Sequence, residues 1–295
     1  MEIWVGGVDH GLQRFTIGLG KKVIIANQMG IFADKAFSLQ ASGNLTTGFA
    51  WMGAIAYTLQ IYYDFSGYSD MAIGLGYIFG FRFPENFKHP YISSSITEFW
   101  RRWHISLSSW FRDYVYIPLG GNRCSKSRNL LNLFVVWGLT GIWHGANYTF
   151  WLWGFCYFFI LMIEKLTGQR KFQFPMKKIV GHIYTLFVVM LLWVIFRADS
   201  VSMAVSYIRT MFGGNSVENA YAIGVTGLYF RNMIGYGLIA VIGCAPWNKL
   251  IERIKSKMSM YRFDMINTVW ILAVFIIACC MTLDGDYNPF VYFNF

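Results

Sequence analysis

The sequence predicts an all-α integral membrane protein: polytopic helices of unequal length, a polar cavity among them, and amphipathic helices at the membrane interface. Three observations predict it. Of the 295 residues, 56% are hydrophobic and 14% charged, where a soluble domain carries about 25% charged residues. Several apolar runs approach the roughly 20 residues that a bilayer-crossing helix needs. Basic residues gather in three clusters, the pattern of cytoplasmic loops.

Taken in order, the runs at 179–196 and 265–283 are the clearest spans, each nearly free of charge. Those at 49–63, 71–81, 130–143, 148–163 and 233–247 are shorter, and several are interrupted by Gly or Ser. Short, broken segments are tolerated at membrane depth only where protein or a water-filled cavity covers their backbone, hence the expected cavity. The basic clusters lie at 82–128, 165–178 and 249–262, and all three are expected on the cytoplasmic side. Apolar stretches around 179–196 and 222–247 separate the second cluster from the third, the even number of crossings that this placement requires. One further span then leaves the terminal "DGDYNPFVYFNF", with two acids and no basic residue, on the opposite face. A net charge of +10 is thereby explained by membrane topology without a nucleic-acid partner. The five cysteines form no C-x-x-C pair and no metal-ligand spacing. No signal-peptide pattern, long repeat or linker is visible, so residues 1–295 read as a single membrane domain.

The segment "TEFWRRWHISLSSWFRDYVYIPLGG" (97–121) concentrates charge in apolar surroundings. On a helical wheel, Trp100, Trp103, Leu107, Trp110, Phe111 and Tyr114 share one arc, while Arg101, Arg102, Ser106, Ser109, Arg112 and Asp113 lie opposite. That predicts one amphipathic helix over 100–114 lying in the interface. Its arginines would face water, phosphate headgroups or an anionic ligand. His104 sits at the border of the apolar arc, where anchoring does not explain it. Pro118 and Gly120-Gly121 then end the helix in a tight turn.

A second histidine, His144, closes the apolar run of "LTGIWHGANYTF", flanked by Gly141 and Gly145 and followed by Asn147. An ionisable residue at membrane depth is a functional candidate by default. The glycines let another backbone or a ligand approach it; alternatively they simply terminate the helix. Upstream, Asp64 and Asp70 interrupt "IYYDFSGYSDMAIGLG". Asp70 is either functional or the N-cap of a helix starting at Met71. Asp64 would orient a histidine or pair with an arginine. A zinc site from His89, His104 and His144 has no helical ligand spacing behind it, so no metal is expected.

The stretches "QIYYDFSGYSDMAIGLGYIFGFRFPENFKHPY", "FWRRWHISLSSWFRDYVYIPLGGNR" and "GIWHGANYTFWLWG" resemble the membrane-bound O-acyltransferase (MBOAT) family, above all its bacterial alginate O-acetyltransferase branch. The resemblance runs from about Gly11 to the terminal "NPFVYFNF", and this chain is similar to the C-terminal portion of a member, without the family's N-terminal helices. It implies a ring of helices around a funnel or tunnel, with His144 as the buried family histidine and His104 at the family's second polar position. The teichoic acid D-alanyl branch is similar in outline, but "YIPLGGNR" and "WHGAN" favour the alginate type.

The resemblance further implies transfer of an acetyl group from acetyl-CoA toward an extracytoplasmic polysaccharide hydroxyl, with a periplasmic partner acetyltransferase, in the bacterial inner membrane. O-acyl transfer needs a base for the hydroxyl proton and a group that stabilises the oxyanion. His144 is the candidate base, and His104 the candidate for orientation or oxyanion stabilisation. Arg101, Arg102 or Arg112 would contact the phosphates of the acyl-CoA; Asp64, Asp70 and Asn147 are supporting candidates. A transporter or channel without bond chemistry would use broken helices and buried Asp and His equally well. Acyl transfer to a lipid, or a structural partner without activity, are further alternatives.

Overall fold

The computed structural model describes residues 5–167, 175–214, 216–217 and 219–284, which contain helices and turns and no strand. The helices are α1 (Val5–Gly20), α2 (Asn27–Ala41), α3 (Thr47–Ile78), α4 (Ile96–Arg102), α5 (Ile105–Phe111), α6 (Lys126–His144), α7 (Tyr148–Thr167), α8 (Pro175–Arg197), α9 (Val201–Met211), α10 (Ala220–Gly243), α11 (Asn248–Lys257) and α12 (Met260–Asp284). Among the described residues, four stretches are long and apolar enough to cross a membrane: Tyr148–Thr167, Lys178–Arg197, Ala220–Gly243 and Met260–Leu283. They include both clear spans of the sequence and lengthen two of the shorter runs. The terminal stretch 285–295 and part of the second basic cluster lie outside the described residues.

The chain forms two compact units, one of Met1–Ile31, Leu59–Glu85 and Met233–Asn294, the other of Phe32–Thr58 and Asn86–Asn232. In the first, α1 lies against the second half of α3 along a glycine seam. A Cβ on Gly11 or Gly18 would stand 2.6 Å from the carbonyl oxygens of Gly74 and Gly67. Small residues let two backbones approach this closely, and the approach brings charges together. Arg14 meets Asp70 and Glu85, each at 2.6 Å, Lys21 meets Asp70 at 2.6 Å, and Lys22 meets Asp64. A π-helical turn at Lys21–Ala26 widens the helix here, so that two consecutive lysines both reach α3. Tyr63 on α3 donates to the carbonyl of Ala240 on α10.

In the second unit α6 and α7 form an antiparallel pair, again on glycines. A Cβ on Gly141 would meet the Phe150 carbonyl at 2.8 Å, and one on Gly154 the Trp137 carbonyl at 2.6 Å. Of the two glycines around His144, Gly141 therefore admits a neighbouring backbone. α8 packs on α7, and Tyr207 of α9 donates to the Ala50 carbonyl in the first half of α3.

Three sequence expectations are corrected here. The runs 49–63 and 71–81 are parts of one 32-residue helix, α3, because Asp64 and Asp70 are neutralised by cations instead of breaking it. Asp70 is thus a mid-helix ion-pair partner and not the N-cap of a helix at Met71. The single amphipathic helix at 100–114 is two short helices followed by a π turn at Arg112–Tyr116, interrupted by His104 in the left-handed conformation, φ 45° and ψ 57°. The break divides the aromatic arc: Trp103 and Phe111 are buried, whereas Trp110 and Tyr114 are exposed.

Candidate active site

The site is built by the end of α6, the break between α4 and α5, and the flanks of α7 and α8, all in the second unit. Helix α6 starts on Ser125, whose hydroxyl accepts from the Arg128 N–H. It stops at His144 because Gly145 takes φ 144°, a conformation that L side chains rarely adopt. Asn147 then organises the start of α7: its Oδ1 accepts from the Thr149 N–H at 3.1 Å and its Nδ2 donates to the Asp199 carbonyl at 2.9 Å. That makes Asn147 a cap, and its supporting part is to hold the turn between His144 and α7.

His144 is buried within an aromatic box. Its ring centroid lies 4.8 Å from Trp143, 5.2 Å from Trp153, 5.0 Å from Phe196 and 6.1 Å from Phe150. His104 packs on the same indole, 6.1 Å from Trp143. The two candidate histidines, 40 residues apart in the chain, are thereby brought to one tryptophan. Burial lowers the pKa of His104 to about 4, so its imidazole is neutral at ordinary pH and one ring nitrogen keeps a lone pair.

Two residues that hold the segment carrying His104, one at the break and one at the start of α4, were not singled out in the sequence. Asn86 takes the chain through the break: its Oδ1 accepts from the Ser106 N–H at 3.1 Å and the Ser106 hydroxyl at 2.7 Å, and lies 3.4 Å from His104 Nδ1. Its carbonyl accepts from the Ile105 N–H at 3.0 Å. The other is Glu164 on α7, 1% exposed. Its carboxylate accepts from the N–H groups of Ile96 and Thr97, at 2.7 and 2.9 Å, and from the Thr97 hydroxyl at 2.7 Å. A carboxylate on the first turn of α4 satisfies orphan donors and opposes the helix dipole. An acid directly after an apolar run was the signal that flagged Asp64; applied to the run ending at 163, it points to Glu164.

The arginines divide. Arg102 is tied to Glu98 at 2.8 Å and to the Lys88 carbonyl. Arg101 and Arg112 border a cavity of about 300 Å³ with Lys165, and its walls include Trp100, Trp137, Leu107 and Phe111. Arg112 is also paired with Asp113 at 2.7 Å. Between the cavity and His144 stands an aromatic layer in which Trp100 and Trp137 lie 5.7 and 6.0 Å from Trp153. The indole N–H groups of Trp100, Trp153 and Trp193 and the Tyr157 hydroxyl are buried there without a hydrogen-bond partner among the described residues. Buried donors of this kind suit a developing negative charge or a polar group in transit. Asp64 and Asp70 belong to the other unit, where Lys22, Lys21 and Arg14 are their partners. Asp64 was expected to meet a histidine or an arginine; a lysine takes that place, drawn in by the glycine seam.

The membrane-bound O-acyltransferase family model matches residues 6–206. A protein of Pseudomonas putida named "Probable alginate O-acetylase AlgI" is 42% identical over 304 residues, covering 97% of this chain and 61% of its own length. The peptidoglycan O-acetyltransferase of Helicobacter pylori is 36% identical over 299 residues, covering 97% of this chain and 56% of its own. A teichoic acid D-alanyltransferase of Bacillus subtilis is 33% identical over 142 residues, 46% of this chain and 35% of its own. The chain thus spans roughly half the length of these curated relatives.

Proposed function

The chain belongs to the membrane-bound O-acyltransferase family and is a membrane protein, and from that premise we propose that it is an O-acetyltransferase of the bacterial inner membrane, crossing it several times. The donor is acetyl-CoA from the cytoplasm, and the acetyl group moves toward a hydroxyl of an extracytoplasmic polysaccharide, with a periplasmic acetyltransferase as partner. The observation that carries the proposal is the convergence of His144 and His104 on Trp143, behind an aromatic wall whose far side is a cation-rimmed cavity.

In this reading a ring nitrogen of His144 takes the proton from the acceptor hydroxyl as its oxygen attacks the thioester carbonyl. The tetrahedral intermediate collapses, the carbon–sulfur bond breaks, and the imidazolium returns the proton to the departing thiolate. His104 is neutral and fixed by Asn86; it donates or orients at the oxyanion. Arg101 and Arg112 meet the donor's phosphates as charge contacts. The aromatic box excludes water, which would otherwise divert the acetyl group to hydrolysis.

The test is ester-linked acetate on envelope polysaccharides of a deletion strain, complemented with the wild-type gene, His144→Ala or His104→Asn, with membrane levels checked. Acetate should return with wild type, stay absent with His144→Ala and return partly with His104→Asn. Full return with His144→Ala would overturn the assignment of the base and favour a transporter.

A further inference from the structure

Helix α11 takes no part in the site described above. It joins α10 to α12, two helices long and apolar enough to cross a membrane, so it occupies the point where the chain reverses at one membrane face. Its corners are short and fixed. The Trp247 indole donates to the Ile242 carbonyl at 2.8 Å, closing the link from α10. On the other side Lys255 Nζ lies 5.5 Å from the Phe263 ring of α12.

At about 100° per residue, Trp247, Leu250, Ile251 and Ile254 fall in one stripe about 100° wide. These four are 40–47% exposed among the described residues. Lys255 and Lys257 border the stripe on its two sides, and Lys249 and Arg253 occupy the opposite face with Glu252 as the helix's one acid. Lysines beside an apolar stripe are placed to bury their stems and lift their ammonium groups to headgroup level.

We propose that α11 is a docking surface for anionic phospholipid, lying in the plane of the headgroup layer with its stripe inserted among the acyl chains. Two features select this occupant over a protein. The surface is continuous with helices that enter the same bilayer at both its ends. Its four cations against one acid complement a negatively charged leaflet, which attracts basic segments near its surface. Bound in this way, α11 fixes the depth at which α10 and α12 enter the membrane.

The test is hydrogen exchange at 247–258 in the full chain, held in nanodiscs of phosphatidylcholine alone or with phosphatidylglycerol added. Protection should rise with the anionic lipid and fall again at high ionic strength, because surface charges are screened. In Lys255→Gln/Lys257→Gln, which removes the two cations bordering the stripe, the lipid-dependent protection should drop about fivefold per cation removed, the equivalent of about 1 kcal/mol for each. Equal protection in both lipids would overturn the proposal and leave apolar insertion without headgroup recognition. Protection that appears only when two copies share a disc would overturn it in favour of self-association. Both comparisons use the wild-type chain, so neither depends on a variant that folds.

Discussion

Glu164 offers the sharpest test of how the site is held. Replacing it with alanine removes one carboxylate and three hydrogen bonds at once, those from the Ile96 and Thr97 N–H groups and the Thr97 hydroxyl. Ile96 is fully buried, so water cannot substitute at its N–H, and an orphaned buried donor costs about 1–3 kcal/mol. Thr97 is half-buried and partly rehydrated, which adds about 1 kcal/mol. The expected loss for Glu164→Ala is therefore about 2–4 kcal/mol. Glu164→Gln keeps one acceptor oxygen and turns its amide toward the remaining donors, for a loss of about 1–2 kcal/mol. The assay is denaturant unfolding of the detergent-solubilised protein, followed by hydrogen exchange over 95–106. If α4 depends on this contact, exchange at Ile96 and Thr97 accelerates in both variants, and the loosening reaches His104. A double-mutant cycle then asks whether the transfer defect of Glu164→Gln disappears in a His104→Asn background. Unfolding within about 0.5 kcal/mol of wild type for both variants, with unchanged exchange, would refute the reasoning and place the anchor of α4 elsewhere.

Three further outcomes are expected. At His104 the left-handed backbone disfavours alanine by about 1–2 kcal/mol, so stability should follow Gly, then Asn, then Ala, while transfer activity is reduced in all three and kept in part by Asn; an alanine variant as stable as the glycine one would contradict this. Because burial lowers the His104 pKa to about 4, below the unfolded value near 6.5, the unfolded chain binds the extra proton between them. That contribution to stability is complete above about pH 6.5 and lost as pH falls toward 4, and His104→Asn should flatten this part of the profile, measured as unfolding midpoint against pH. Gly154→Ala sets a methyl group 2.6 Å from the Trp137 carbonyl, so α6 and α7 must part, at a cost of about 1–3 kcal/mol; an unchanged unfolding midpoint would show that the seam can yield.

Composition and hydropathy made the helical membrane class legible, since long apolar runs with few charges have no other economical arrangement. His144 was legible for a related reason: an imidazole at the end of an apolar run stands out against its neighbours. What the linear pattern could not carry was partnership. Whether Asp64 and Asp70 break a helix depends on Lys22, Lys21 and Arg14, about 40 to 60 residues away, and those reach α3 only because glycines let α1 come close. The wheel drawn over 100–114 assumed unbroken helical geometry, and His104 violates it. Nothing in the side-chain pattern marks a left-handed turn there, because Asn86 and the short helices on both sides impose it. Asn147 was marked only by its closeness to the histidine, and the bonds of its amide to Thr149 and Asp199 could not be read from the pattern.

The lysine–aspartate contact between the start of the chain and α3 has a consequence for biogenesis. Lys22 is 9% exposed at its side chain and Asp64 1%, and the aspartate is synthesised 42 residues later. Until Asp64 and Asp70 emerge, Lys22 and Lys21 lack the carboxylates that they meet on α3, and a charge without its partner resists burial. The segment at 21–26 therefore has to seat against α3 in one assembly step, waiting in water or held by insertion machinery until its acidic partners arrive. A ribosome stalled before α3 would expose that segment to protease, and one stalled far enough beyond it for α3 to leave the exit tunnel would not.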